Sequence, residues 1–110
     1  MTDSTSDDDL MRACETLCRA MYHGFRTAVV GRPNQRGPWV ARMDSSHGTL
    51  MAAAATSKRA SIEGLYCALW DKADWLKAEG CAPARFSAIS EAMALTEGMF
   101  GLPEGGSDGT

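Results

Sequence analysis

Apolar residues recur every third or fourth position in three stretches of this chain and every second position in another. The first stretch carries Leu10, Cys14, Leu17, Cys18, Met21 and Phe25, which predicts a helix from about Asp7 with one stripe facing a core. Ser6 suits its N-cap, Asp7, Asp8 and Asp9 suit the positive end of its dipole, and Gly24 marks its stop. Phe25 to Val30, with Thr27, Val29 and Val30, has the β-branched content of a strand. Gly31-Arg32-Pro33-Asn34-Gln35-Arg36-Gly37-Pro38 is a loop by its glycines, prolines and asparagine. Trp39 to Met43 sets Trp39, Ala41 and Met43 against Val40 and Arg42, the alternation of a half-buried strand. Asp44-Ser45-Ser46-His47-Gly48 is a turn.

The next segment has two readings. Thr49 to Ala55 returns as a third strand, or its consecutive alanines begin a helix running from Thr49 to Glu79. Thr56 and Ser57 favour the strand, because they stand as an N-cap between two periodicities. From Lys58 to Glu79 the stripe Ile62, Leu65, Tyr66, Leu69, Ala73 and Leu76 predicts a long helix, closed by Gly80. Trp75 lies off that stripe, beside Ala68, Asp71 and Lys72, so it is either covered by another helix or exposed for a partner. A last helix fits Pro83 to Phe100. Its stripe of Phe86, Ile89, Met93 and Phe100 is broadened by Ala88, Ala92, Leu95 and Met99, which predicts burial on two sides with Trp75 underneath. The same face is an alternative homodimer contact.

The expected fold is α+β: a small antiparallel sheet of two to three strands packed against three helices, in the order α-β-β-β-α-α. A single domain spans residues 7–102, between polar, flexible ends at 1–6 and 103–110. An apolar content of 45% and a charged fraction of 23% are ordinary for a globular chain. No apolar run approaches membrane-spanning length and the N-terminus is acidic, so a cytoplasmic protein with reduced cysteines is expected.

Charge changes the picture more than composition does. The formal net charge is −3, but the ends supply six acidic residues and no lysine or arginine. Residues 10–102 hold 11 basic and 8 acidic side chains. Within 26–59, Arg26, Arg32, Arg36, Arg42, Lys58 and Arg59 face Asp44 alone, a balance of +5. Such asymmetry implies an anionic partner, or simply a solvated face.

Catalytic and metal-binding patterns are weak. Cys14 and Cys18 with His23 have the residue types of a zinc site, but both cysteines lie on the apolar stripe and His23 lies off it. Asp44, Ser45, Ser46 and His47 have the residue types of a hydrolase triad, yet neighbours in one turn cannot align nucleophile, base and orienter. Gly31 to Gly37 lacks the spacing of a phosphate loop. Asp71 and Asp74 share a polar helix face. No catalytic residue, metal ligand or cofactor is assigned, and no enzyme is expected.

The order helix, strand, Gly37-Pro38 loop, two strands, then Ser57-Lys58-Arg59-Ala60 opening a helix loosely resembles the double-stranded RNA-binding domain, over about residues 8–78. The resemblance implies RNA-backbone contacts from the Gly-Pro loop and from the start of the second helix. The chain departs from that pattern at Trp39, where the family has a loop histidine. Its sheet is short, its ends are acidic, and no further lysine follows Arg59 in the first helical turn. A different likeness is one of general appearance, carried by no motif: small, plain chains are common in phages and mobile elements, where stoichiometric inhibitors such as anti-CRISPR proteins belong.

Two functional expectations follow. The first is a non-enzymatic protein-binding module, an inhibitor or adaptor that occupies an acidic surface of a larger protein. Its contact residues would be Arg32, Arg36, Trp39, Arg42, Lys58, Arg59 and, if exposed, Trp75. The alternative is a nucleic-acid-binding domain using the basic face of residues 26–59.

Overall fold

The structure, a computed structural model, describes residues 6–100, and side chains as far as residue 97. Helix α1 (Asp7–Met21) leads into strands β1 (Phe25–Gly31), β2 (Trp39–Ser45) and β3 (Gly48–Ala55), followed by helices α2 (Lys58–Glu79) and α3 (Pro83–Phe100). The α+β class and the element order are those expected, and the segment rich in alanine is a strand. The parts of the chain expected to be loose, 1–6 and 103–110, fall almost wholly outside the described residues.

Local chemistry sets most boundaries. The hydroxyl of Ser6 accepts from the Asp9 amide at 3.1 Å, and that of Ser57 accepts from the Ala60 amide at 3.1 Å. Each satisfies one orphan donor at a helix start, an effect of about 1 kcal/mol. Gly80 ends α2 with φ of 100°, and its amide returns to the Leu76 carbonyl. Two expectations at element ends are corrected. Helix α1 stops at Met21 with Tyr22 as its C-cap, whose amide bonds the Cys18 carbonyl, so Gly24 belongs to the connecting turn. Strands β2 and β3 absorb Asp44, Ser45 and Gly48, leaving Ser46 and His47 as a two-residue turn. Ser45 pairs with Gly48 across it. Gly48 has φ of 132°, a backbone region that favours glycine.

The three strands form one antiparallel meander in the order β1-β2-β3. Ala28, Met43 and Met51 lie side by side, as do Val30, Ala41 and Ala53. All six pack into the core. Between Met43 and Asp44 the register slips by one residue, and Leu50 is the extra residue of β3. Leu50 and its neighbour Met51 both pack on the core as a result.

Helix α2 lies against β3 and β2 and also touches β1, α1 and α3. Its buried Ile62, Leu65, Tyr66, Leu69 and Ala73 meet the buried stripe of α1. The alanines of β3 let it sit close. A Cβ added at Gly64 would lie 3.4 Å from the Cβ of Ala53.

Helix α3 packs more on α1 than on α2. Ile89, Ala92, Met93 and Thr96 are buried. The Tyr66 hydroxyl donates to Thr96 Oγ1 at 3.3 Å, and Thr96 in turn donates to the Ala92 carbonyl at 3.0 Å. Burial on two sides does not occur. Phe86 is 43% exposed and Leu95 59% exposed. Trp75, expected beneath α3, is 52% exposed. The reason is directional: α3 is drawn to α1 and to the Tyr66 side of α2, away from the face that carries Trp75. Lys72 instead places its ammonium 4.4 Å from the Trp75 ring centre.

The close seating of α2 makes β3 sensitive to size on one side only. Ala53→Leu, beneath Gly64, should cost about 1–3 kcal/mol through overpacking. Ala54→Leu, on the opposite face, should stay within about 0.5 kcal/mol of the parent. Urea unfolding midpoints of the two variants check this, and equal shifts would contradict the packing described.

Candidate functional site: the open sheet face and its arginine-bearing loop

Because the described helices lie on one side of the sheet, strand alternation leaves the other side uncovered by any described element. Across that side Val29 pairs with Arg42, and Arg42 with Ala52. In the next row Gly31 pairs with Val40, and Val40 with Ala54. The face is therefore a low apolar surface of valines and alanines, in which the guanidinium of Arg42 stands beside the Asp44 carboxylate. That group is internally satisfied: Arg42 Nε donates to both Asp44 oxygens, at 3.1 and 2.9 Å, and the Thr49 hydroxyl donates to Asp44 Oδ1 at 3.2 Å.

The β1–β2 loop borders this face. Arg32 and Pro33 join Val29, Gly31, Val40 and Arg42 around a shallow hollow of about 210 Å³. Arg32 Nε donates to the Gly37 carbonyl at 3.3 Å, and its guanidinium lies 5.7 Å from the Trp39 ring centre. Asn34 holds the turn from both ends. Its side-chain oxygen accepts from the Arg36 amide at 3.1 Å, and its carbonyl accepts from the Gly37 amide at 3.2 Å. A Cβ at Gly37 would stand 2.9 Å from that side-chain oxygen, so a larger residue there would push Asn34 aside.

The remaining candidates are distributed as follows. Trp39 pairs with Ala55, three residues before Lys58, so the loop and the start of α2 share one end of the molecule. Lys58 is exposed there. Arg59 Nε donates to Glu63 Oε2 at 3.1 Å, and Arg59 Nη1 lies 3.4 Å from Asp7 Oδ1. The acidic first turn of α1 thus sits against the basic start of α2. Among the described residues no carboxylate pairs with Arg26, Arg32, Arg36 or Lys58. Trp75 lies on the outer face of α2, separate from this end.

Sequence reasoning named the arginines and Trp39 but missed Val29, Val40, Ala52 and Ala54. The signal was present in the alternation of β2, whose outward positions are Val40 and Arg42. An apolar outward residue goes unnoticed until the sheet is known to lack a second layer.

The cysteines belong elsewhere. Cys14 and Cys18 are fully buried, and the Cys14 thiol points to the Ile62 carbonyl at 3.9 Å. Burial, reinforced by Cys18 and Glu15, pushes the Cys14 thiol up to about 12. Burial, only partly opposed by Arg19, also takes Cys18 to about 12. Cys67 is exposed, yet partial desolvation and the nearby Asp71 and Glu63 raise its thiol too. None of these three is a ready thiolate nucleophile. Among the described residues no group of three or more His, Cys, Asp or Glu could hold a metal ion. No described helix is long and apolar enough to cross a membrane.

Compared with known proteins, the chain matches no family model, no curated protein and no solved structure.

The buried thiols generate a prediction about alkali. Folded Cys14 and Cys18 keep their protons to about pH 12, whereas the unfolded thiols release them near pH 9.0. Between those values the folded state binds more protons, so stability falls as pH rises. Below about pH 9 these groups take nothing from stability. Tyr66, raised to about 12 mainly by burial, adds to the decline above its ordinary value of 10.0. Urea unfolding from pH 8 to 10.5 should show this loss, and Cys14→Ala with Cys18→Ala should flatten the slope. An unchanged slope in the double variant would assign the decline to other groups.

Proposed function

We propose that this chain is a non-enzymatic protein-binding module, an inhibitor or adaptor, that docks through its open sheet face and the adjoining β1–β2 loop. The observation that carries this reading is the uncovered face itself. Val29, Val40, Ala52 and Ala54 form an apolar centre, and Arg32, Arg36 and Arg42 stand in or beside it. An apolar middle with an arginine-bearing, aromatic-supported margin is the usual composition of a protein interface. The Arg32–Trp39 stack holds one guanidinium at the margin, and Arg36 and Lys58, which meet no carboxylate among the described residues, favour an acidic partner surface.

Nucleic-acid binding is the second reading. It is favoured by the shared end of the Gly37-Pro38 loop and the Ser57-Lys58 helix start. Two things weaken it. Of the six cations in 26–59, Arg42 and Arg59 are already bonded to carboxylates. The outward residues of the central strand between Trp39 and Ser45 are Val40, Arg42 and Asp44, with no aromatic ring on which a base would stack. Four remaining cations would give weak, strongly salt-dependent phosphate binding.

One experiment separates the readings. Tagged protein is incubated with a lysate of its native host, with and without nuclease, beside a Val40→Glu variant whose fold is checked by circular dichroism. A stoichiometric protein band that survives nuclease and is lost with Val40→Glu is the expected result. Recovery of nucleic acid alone, abolished between low and moderate salt and unaffected by Val40→Glu, would replace this reading with the second one. A band retained equally by Val40→Glu would move the docking surface off the sheet.

A further inference from the structure

A second concavity lies on the helical side of the molecule, and no strand residue lines it. It opens where the end of α1, the end of α2 and the start of α3 converge, and encloses about 540 Å³. That volume is within the usual range for small-molecule sites, ~300–1,000 Å³. Its walls are mostly apolar: Leu76, with alanines such as Ala88 and the glycine at the α2 cap. Its polar groups are Arg19, Arg85, His23 and the Cys81 thiol, and it contains no carboxylate.

The charges in this cavity are arranged differently from those at the other end of the fold. There, Arg59 is held by Asp7 and Glu63. Here, among the described residues, neither Arg19 nor Arg85 pairs with an acid. Arg19 rests its guanidinium 5.2 Å from the Phe25 ring centre, a contact that supports the side chain without neutralising it. Arg85 belongs to the first turn of α3, which carries no acidic residue. The first helical amide of α3 to reach a main-chain acceptor is that of Phe86, on the Ala82 carbonyl at 2.9 Å. The amides before it lack a helical acceptor, and the helix dipole adds to the positive potential of the two arginines.

We propose that this cavity binds a small amphipathic carboxylate, with the anionic head taken by Arg19 and Arg85 and the apolar body against Leu76 and the alanines. The apolar walls rule against a bare inorganic anion, which would leave them wet. The two unpaired guanidiniums rule against a neutral apolar ligand, which would desolvate them without compensation. The site is separate from the open sheet face, and its occupancy does not depend on what docks there.

Octanoate is the probe, with octan-1-ol as the same chain without charge and acetate as the same head without a chain. Titration calorimetry and saturation-transfer NMR on the full chain should show octanoate bound about tenfold or more tightly than either comparator. Arg19→Gln with Arg85→Gln should remove that preference, and Ala88→Phe should fill the cavity and weaken octanoate. Peptide-resolved alkylation of the wild-type protein gives a reading independent of variant folding. Octanoate should slow modification of Cys81, which lines the cavity, and leave the exposed Cys67 unchanged. Octanoate and octanol binding alike, no detectable octanoate binding, or equal protection of Cys67 and Cys81 would each overturn the proposal.

Discussion

Helix α2 touches every other element of the fold, and the second half of the strand beneath it, Ala52 to Ala55, carries nothing larger than a methyl group. Ala53 of β3 lies beneath Gly64 of α2, where an added Cβ would stand only 3.4 Å from the Ala53 Cβ. A helix laid this close sets Ile62, Leu65, Tyr66, Leu69 and Ala73 into the one core that α1 and the sheet share. Larger residues on either side would lift α2 from the sheet and open the interior. Ala53, a weak strand former by itself, is thus the residue of β3 that suits the close seating of α2.

One-sided packing follows from the same arrangement. Helices α1 and α2 cover one face of the strands, α3 packs on those helices, and no described helix lies on the other face. The uncovered face is kept small and flat by Val29, Val40, Ala52 and Ala54, and its one charged pair is closed on itself through Arg42 and Asp44. Charge at the end of the molecule is closed in the same manner, with Asp7 brought to Arg59 across the junction of α1 and α2. The fold divides its cations into those with carboxylates beside them and those without, a division that no count along the chain displays.

How much of this was legible in the sequence depended on how local the deciding contact was. The helices at 7–21, 58–79 and 83–100 could be read because each carries its own periodicity, and two of them carry a serine cap. The strand at 48–55 was ambiguous, because alanine prefers helix and the signal for a strand, the Thr56-Ser57 cap, lies just beyond the segment. Trp75 and Leu95 were misjudged for a related reason. The breadth of an apolar circumference says that a helix has little polar surface, not which side a neighbour covers. Likewise the excess charge in residues 26–59 was real as a sum, but Asp7 and Glu63, both outside that window, neutralise Arg59. The open sheet face was invisible until the number of layers was known.

The loop between Gly31 and Trp39 is held from within. Asn34 grips the amides of Arg36 and Gly37, Gly37 has no side chain to disturb that grip, and Arg32 is pinned between the Gly37 carbonyl and the Trp39 ring. A segment with two prolines and two glycines would ordinarily sample many shapes in solution. Here those contacts narrow the choice before any encounter with another surface. Were this loop to meet a partner, part of the cost of ordering it would fall on folding rather than on binding.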